Sequence, residues 1–171
     1  MEEIKEHTIA FQGLKDGRHQ FKYELEEVFL KATGVEDFLG GKILAVVDMD
    51  KNSHLLDVRI HLDGNIRMLC DHCNAPMDQA VLGDQRQIFK LSGEDVGEDD
   101  ELVAISPDAD SINLTHYFFE CLSLHLPIRH VHPPGKCDPE VEHALDRVLI
   151  HPEPVPDPRW AGLQALKNKE N

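Results

Sequence analysis

Leu55-Leu56-Asp57-Val58-Arg59-Ile60-His61-Leu62 carries the clearest structural signal in this chain. Leu56, Val58, Ile60 and Leu62 are apolar, while Asp57, Arg59 and His61 between them are polar. A period of two sends alternate side chains to opposite faces, so the stretch predicts a half-buried antiparallel strand. Upstream, Gly41 to Met49 is rich in Ile, Leu and Val, and Asp50-Lys51-Asn52-Ser53 supplies a hairpin turn. Downstream, Gly64 breaks the alternation and Asn65 to Leu69 resumes it. Gln79 to Leu82, Gln85 to Leu91 and Leu102 to Ile105 read as further strands. At the N-terminus, Ile4, Thr8, Ala10 and the segment around Phe11 suggest a first strand. Gly13 to Gly17 is turn material, Gln20 to Leu25 a second strand, and Glu26 to Ala32 a short helix closed by Gly34.

Helical signals dominate the second half. Ser111 is placed to cap a helix running to about His125, with Leu114, Tyr117, Phe118, Cys121, Leu122 and Leu124 as its apolar stripe and Pro127 as its stop. Asp138-Pro139-Glu140 opens another helix to about Leu149, and Asp157-Pro158 a last one. The expected fold class is α+β: an antiparallel β-sheet or partly open barrel over about residues 1–105, then about three helices over about 111–171. Together they form a single domain spanning 1–171.

Composition narrows the chemistry. The apolar fraction, 41%, is enough for a core at 171 residues. Seventeen Lys and Arg face 32 Asp and Glu, a formal net charge of −15. Such a molecule is repelled by phosphate backbones and anionic membranes unless its bases cluster, and is attracted to basic proteins. Glu94, Asp95, Glu98, Asp99, Asp100 and Glu101 concentrate that charge in a run read as a mobile solvated loop. Met1-Glu2-Glu3-Ile4-Lys5 does not resemble a secretion leader, and no apolar stretch approaches membrane-spanning length. The expected location is the cytoplasm, where the four cysteines serve as thiols or metal ligands.

Cys70 and Cys73, in Cys70-Asp71-His72-Cys73, place two sulfurs on one side of a tight turn, half of a tetrahedral zinc site. Cys137 is the third ligand candidate, and His132, at the start of the rigid His132-Pro133-Pro134-Gly135-Lys136-Cys137 turn, the fourth. His72 is a competing fourth ligand, although it lies inside the pair. The alternative is two thiols kept for packing around a turn. Cys121 falls on the apolar stripe of its helix and reads as a buried thiol. Thioredoxin-like redox pairs sit at a helix N-terminus after a parallel strand, and this pair follows an antiparallel one.

Other constellations fail on their own chemistry. Asp48-Met49-Asp50-Lys51-Asn52 copies the start of an EF-hand loop, but Ser53 stands where glycine is required and Arg59 where a bidentate glutamate is required. The eleven histidines show no two-ligand helical spacing. Basic residues gather at Arg129, His130 and His132, and again at Arg159, Lys167 and Lys169.

Taken in order, these segments resemble a known family. Cys70-Asp71-His72-Cys73, Glu120 to Pro127 followed by Arg129-His130-Val131-His132, Cys137-Asp138-Pro139-Glu140 and Asp157-Pro158-Arg159-Trp160-Ala161-Gly162-Leu163 are similar to the YceD-like family, the large ribosomal RNA subunit accumulation proteins. Leu14-Lys15-Asp16-Gly17 and Phe21 extend the likeness over nearly the whole chain, which looks most like the version in Bacteroidetes-type bacteria. The resemblance implies a non-enzymatic ribosome-biogenesis factor supporting accumulation or processing of 23S ribosomal RNA. The expected partner is a ribosomal protein or large-subunit assembly intermediate. Direct RNA binding through Arg129, His130, Arg159 and Trp160 is the alternative reading, and a zinc-dependent enzyme a third. The family's cysteine pair falls on Cys70 and Cys73 and its later cysteine on Cys137; zinc rests on spacing alone.

Overall fold

The computed structural model describes residues 3–91 and 102–149. A single turn of 3₁₀ helix at Lys5–His7 leads into β1 (Thr8–Ala10), β2 (Gly17–Leu25), α1 (Glu27–Thr33), β3 (Phe38–Lys51), β4 (Leu55–Leu69) and β5 (Pro76–Leu91). Then come β6 (Leu102–Ile105), β7 (Ser111–Asn113), α2 (Thr115–His125) and α3 (Pro139–Val148). A five-stranded sheet is ordered β2-β3-β4-β5-β6, and β1 pairs with β7 in a two-stranded one. The α+β reading holds, and the sheet is open rather than closed. Its last pair, β5 with β6, is parallel, which makes the sheet mixed. By contacts the chain divides into a unit over 1–137 and a second over 138–171. Within the second, α3 is capped by the Asp138 carboxylate, which accepts from the Glu140 N–H at 2.9 Å. Among the described residues no helix is long and apolar enough to cross a membrane.

The alternation in β4 behaves as its period requires. Leu56, Val58, Ile60 and Leu62 are buried, as are Ile43, Ala45, Val47 and Met49 on β3. Phe29 and Leu30 of α1, and Phe118, Cys121 and Leu122 of α2, join the same core. Each large aliphatic or aromatic side chain so buried contributes about 1.5–3 kcal/mol relative to exposure. The opposite face is a charged lattice. Arg86 holds Asp57 in a two-pronged ion pair at 2.9 and 2.8 Å, and Gln20 donates to Asp48 at 2.9 Å. Asp48 and Asp50 lie in β3, consistent with a strand and turn rather than a calcium loop.

Three local expectations change. Gly64 does not interrupt β4, because it occupies a core-facing slot between Leu62 and Ile66, opposite Ile43. A Cβ there would land on the Lys42 carbonyl and 2.6 Å from the Ile43 Cα, so the glycine permits backbones to approach. Gln79–Leu82 and Gln85–Leu91 are one strand, β5, running through Gly83, whose missing side chain makes room for the His125 ring. Ser111 does not cap α2; it pairs with Ala10 in the β1–β7 ladder. Asn113 takes the capping role, its Oδ1 accepting from the Thr115 N–H at 3.0 Å while its Nδ2 donates to the Ile4 carbonyl and the Thr8 hydroxyl. Pairing Ile9 with Ile112 buries both, and that burial draws Ser111 into a strand. The helix from Asp157 and the acidic run Glu94 to Glu101 lie outside the described residues.

Since the Gly64 contacts are with backbone, they cannot be relieved by a side-chain turn. Gly64→Ala is expected to lower unfolding free energy by roughly 2–4 kcal/mol, measured as a reduced urea midpoint. An unchanged midpoint would contradict the close β3–β4 approach.

Candidate metal centre

Cys70 and Cys73 occupy the tip of the β4–β5 hairpin. Leu69 and Pro76 are the last cross-strand pair, and residues 70–75 make the connection. The turn is held by backbone bonds from Cys70 N–H to the Ala75 carbonyl (2.9 Å) and from Asn74 N–H to the Cys70 carbonyl (2.8 Å). Asn74 is left-handed at φ 56°, a conformation Asn tolerates better than most side chains. The His72 N–H donates to the Cys70 sulfur at 3.4 Å. Two cysteines three apart therefore leave the hairpin pointing the same way.

The other half comes from the segment after α2. Pro133-Pro134-Gly135-Lys136 forms a β-turn closed by the Lys136 N–H on the Pro133 carbonyl at 3.0 Å, with Gly135 at φ 74°. Flanking that turn, His132 and Cys137 bring Nδ1 and Sγ to 3.9 Å. The halves meet with Cys70 Sγ at 4.0 Å from Cys137 Sγ and Cys73 Sγ at 3.4 Å from His132 Nδ1. All four ligand atoms lie within 4.8 Å of one another. A regular tetrahedron around zinc, with Zn–S about 2.3 Å and Zn–N about 2.0–2.1 Å, has S···S edges of about 3.8 Å and S···N edges of about 3.6 Å. The three separations of 4.0, 3.4 and 3.9 Å lie close to those edges. The cluster can hold one metal ion through three sulfurs and one nitrogen.

Charge in the cluster is interdependent. Burial raises the Cys70 thiol, but N–H groups from Cys73, His132 and His72, with the His132 ring, outweigh it and bring it down to about 6. The hydrogen bond to Cys70 raises His132 in turn. Cys137 is pushed up to about 11, by burial first and then by Cys73 and Cys70. Without a metal the cluster thus favours ionisation at Cys70 and proton retention at His132, while Cys137 resists ionisation. Further thiolates need a cation to offset their repulsion. Cys121 stands apart as a core thiol, pushed up to about 12 by burial and then by Asp84 and Glu120.

A residue that sequence reasoning passed over locks the halves together. The Asp71 N–H donates to the His130 carbonyl at 2.7 Å, and the Asp71 carboxylate accepts from the His130 N–H at 2.6 Å. The His130 ring turns toward the same carboxylate, Nδ1 to Oδ2 at 3.5 Å, with its side chain only 19% exposed. His130 therefore braces the site, whereas Arg129 is exposed. The available signal was an aspartate, a residue type that commonly bonds nearby backbone, inside a cysteine pair. Arg159 and Trp160 lie outside the described residues.

Residues 58–167 match the family described as Large ribosomal RNA subunit accumulation protein YceD, well over half the chain and all four ligand candidates. This chain is a member of the YceD family. No curated protein and no solved structure gives a significant match. The family description places its members in the accumulation of large-subunit ribosomal RNA, as the cysteine and histidine motifs implied.

Asp71→Ala removes the acceptor of the His130 N–H while sparing all four ligand candidates. Hydrogen exchange at the His130 amide is expected to speed up about tenfold or more, with exchange in the core of β4 unchanged. Unaltered protection at His130 would show that the bracket does not hold the segment.

Proposed function

We propose that this protein is a bacterial ribosome-biogenesis factor that supports accumulation of 23S ribosomal RNA by binding, and that a structural zinc ion shapes it. The observation carrying this reading is the completeness of the ligand set. Cys70, Cys73, His132 and Cys137 supply four protein ligands at tetrahedral separations. A structural zinc site is closed in this way, whereas a catalytic one keeps a position for water or substrate. The ion would join the β4–β5 hairpin to a segment some sixty residues later (59 positions from Cys73 to His132). Closing so long a loop transfers binding free energy into folding.

The partner is a ribosomal protein or a large-subunit assembly intermediate. A net charge of −15 favours a strongly basic protein over bare RNA, and shielding a basic client until it meets its RNA is the role that fits. Direct RNA contact is the second reading, favoured by the exposed Arg129 beside the braced segment. It predicts affinity for large-subunit RNA that falls steeply with salt.

Deleting the gene should raise precursor and lower mature 23S RNA; normal maturation would refute the assignment. Purified protein should hold about one zinc per chain. Cys70→Ser should lose the metal and lower the melting temperature by roughly 10 °C or more, whereas Cys121→Ser should keep it. Metal-free protein with an unchanged melt after chelation would remove the zinc while leaving the ribosomal role to the deletion result.

A further inference from the structure

β2 is an outer strand of the five-stranded sheet. All nine of its residues, Gly17 to Leu25, pair with β3 on one side, in unbroken register. Among the described residues no strand lies on its other side. Among the described residues, no turn, loop or cap contributes a backbone hydrogen bond to Gly17–Leu25. An edge strand points alternate N–H and C=O groups outward, and such a row is a template for another strand. The usual deterrents of proline and a bulge are missing here: no proline falls in Gly17–Leu25 and the register does not shift. Its side chains remain accessible. Arg18, Gln20, Lys22 and Glu24 are exposed on the open face, and His19, Phe21 and Tyr23 are half-buried on the core face.

Charges normally guard such an edge, but these are arranged to suit their own mirror order. We propose that β2 pairs antiparallel with β2 of a second copy of this chain, about a two-fold axis through Phe21 and normal to the sheet. In that register Arg18 faces the copy's Glu24, Gln20 faces Lys22, His19 faces Tyr23, and Phe21 faces its own equivalent. Opposite charges meet on the open face, where Arg18 and Glu24 also stand 3.7 Å from Asp50 and 2.7 Å from Lys42 of their own chain. Aromatic rings, the pairings that favour cross-strand packing, meet on the core face. The two neighbouring symmetric registers are worse. Within the strand, centring on Gln20 sets Arg18 against Lys22, and centring on Lys22 sets two lysines against each other. The pattern therefore selects one register as well as permitting pairing. A nine-residue antiparallel ladder carries on the order of eight to ten backbone hydrogen bonds. Isologous contacts of this kind close on themselves and leave no further edge of the same type.

Light scattering and sedimentation of the full chain over a wide concentration range test the pairing. A reversible dimer is expected. R18E and E24R should each weaken it by about tenfold or more by placing like charges opposite. R18E/E24R should restore it, because the swap re-creates both pairs. Melting curves identify any variant that fails to fold. The proposal is overturned by a monomer at every concentration, by a dimer insensitive to either single change, or by a double variant that folds without recovering the dimer. A monomer that complements the gene deletion would overturn the pairing alone and leave the ribosomal role standing.

Discussion

The rest of the molecule hangs on the double pairing of β4. All fifteen residues of this strand pair with β5 on one side, and Leu56 to Met68 pair with β3 on the other, and its alternation leaves one face apolar throughout. Because both neighbours are antiparallel, the register of β4 sets theirs, and a slip by one residue would turn its whole buried set toward water. Gly64 belongs to this constraint. It fills a core-facing position without a side chain, so the strand crosses its neighbour without bending away. The ladder also determines where the β4–β5 hairpin ends, and hence where Cys70 and Cys73 stand.

From that hairpin tip the structure reaches a distant part of the chain through polar contacts rather than apolar ones. Asp71 and His130 exchange backbone and carboxylate bonds, and Cys70, Cys73, His132 and Cys137 converge beside them. Short, charge-assisted bonds are strong where solvent is partly excluded. They position the segment after α2 but do not offset the charge of three clustered sulfurs, of which Cys137 is pushed up to about 11 by burial and by its neighbours. A divalent cation is what makes three thiolates mutually tolerable. Backbone bonds set the approach of the two halves, and an ion held as proposed would lock it.

Much else in the protein follows from charge. The open face of the sheet is a lattice in which most acids have a partner, such as Asp57 with Arg86 and Asp48 with Gln20. Such exposed pairs contribute little stability. Their arrangement matters more for what may approach the surface, since a lattice of mixed sign on an acidic protein discriminates among partners by register and by complementarity. Among the described residues, His7 is the one buried histidine. It sits edge-on to Tyr23, Phe29 and Phe118 with Thr115 bonded to its ring, and burial pulls its pKa down. It is an apolar packing unit with a single satisfied polar contact.

Local pattern was enough for the α+β class, for β4, for the hairpin after Met49, for the buried thiol at Cys121 and for the cap at Asp138. Each of these depends on residues within a few positions of one another, where periodicity and capping chemistry act. The four candidate metal ligands were also named from spacing and turn chemistry, although nothing local says that the two halves meet. Their meeting depends on contacts between residues some sixty positions apart, which no window of sequence contains. The same cause explains the departures. Ser111 looked like a cap until Ile9 and Ile112 were seen to bury each other, and Gly64 looked like a break until Ile43 was seen opposite it. Short-range preferences name the elements. Burial and long-range backbone pairing, which are stronger in sum, settle where each one goes.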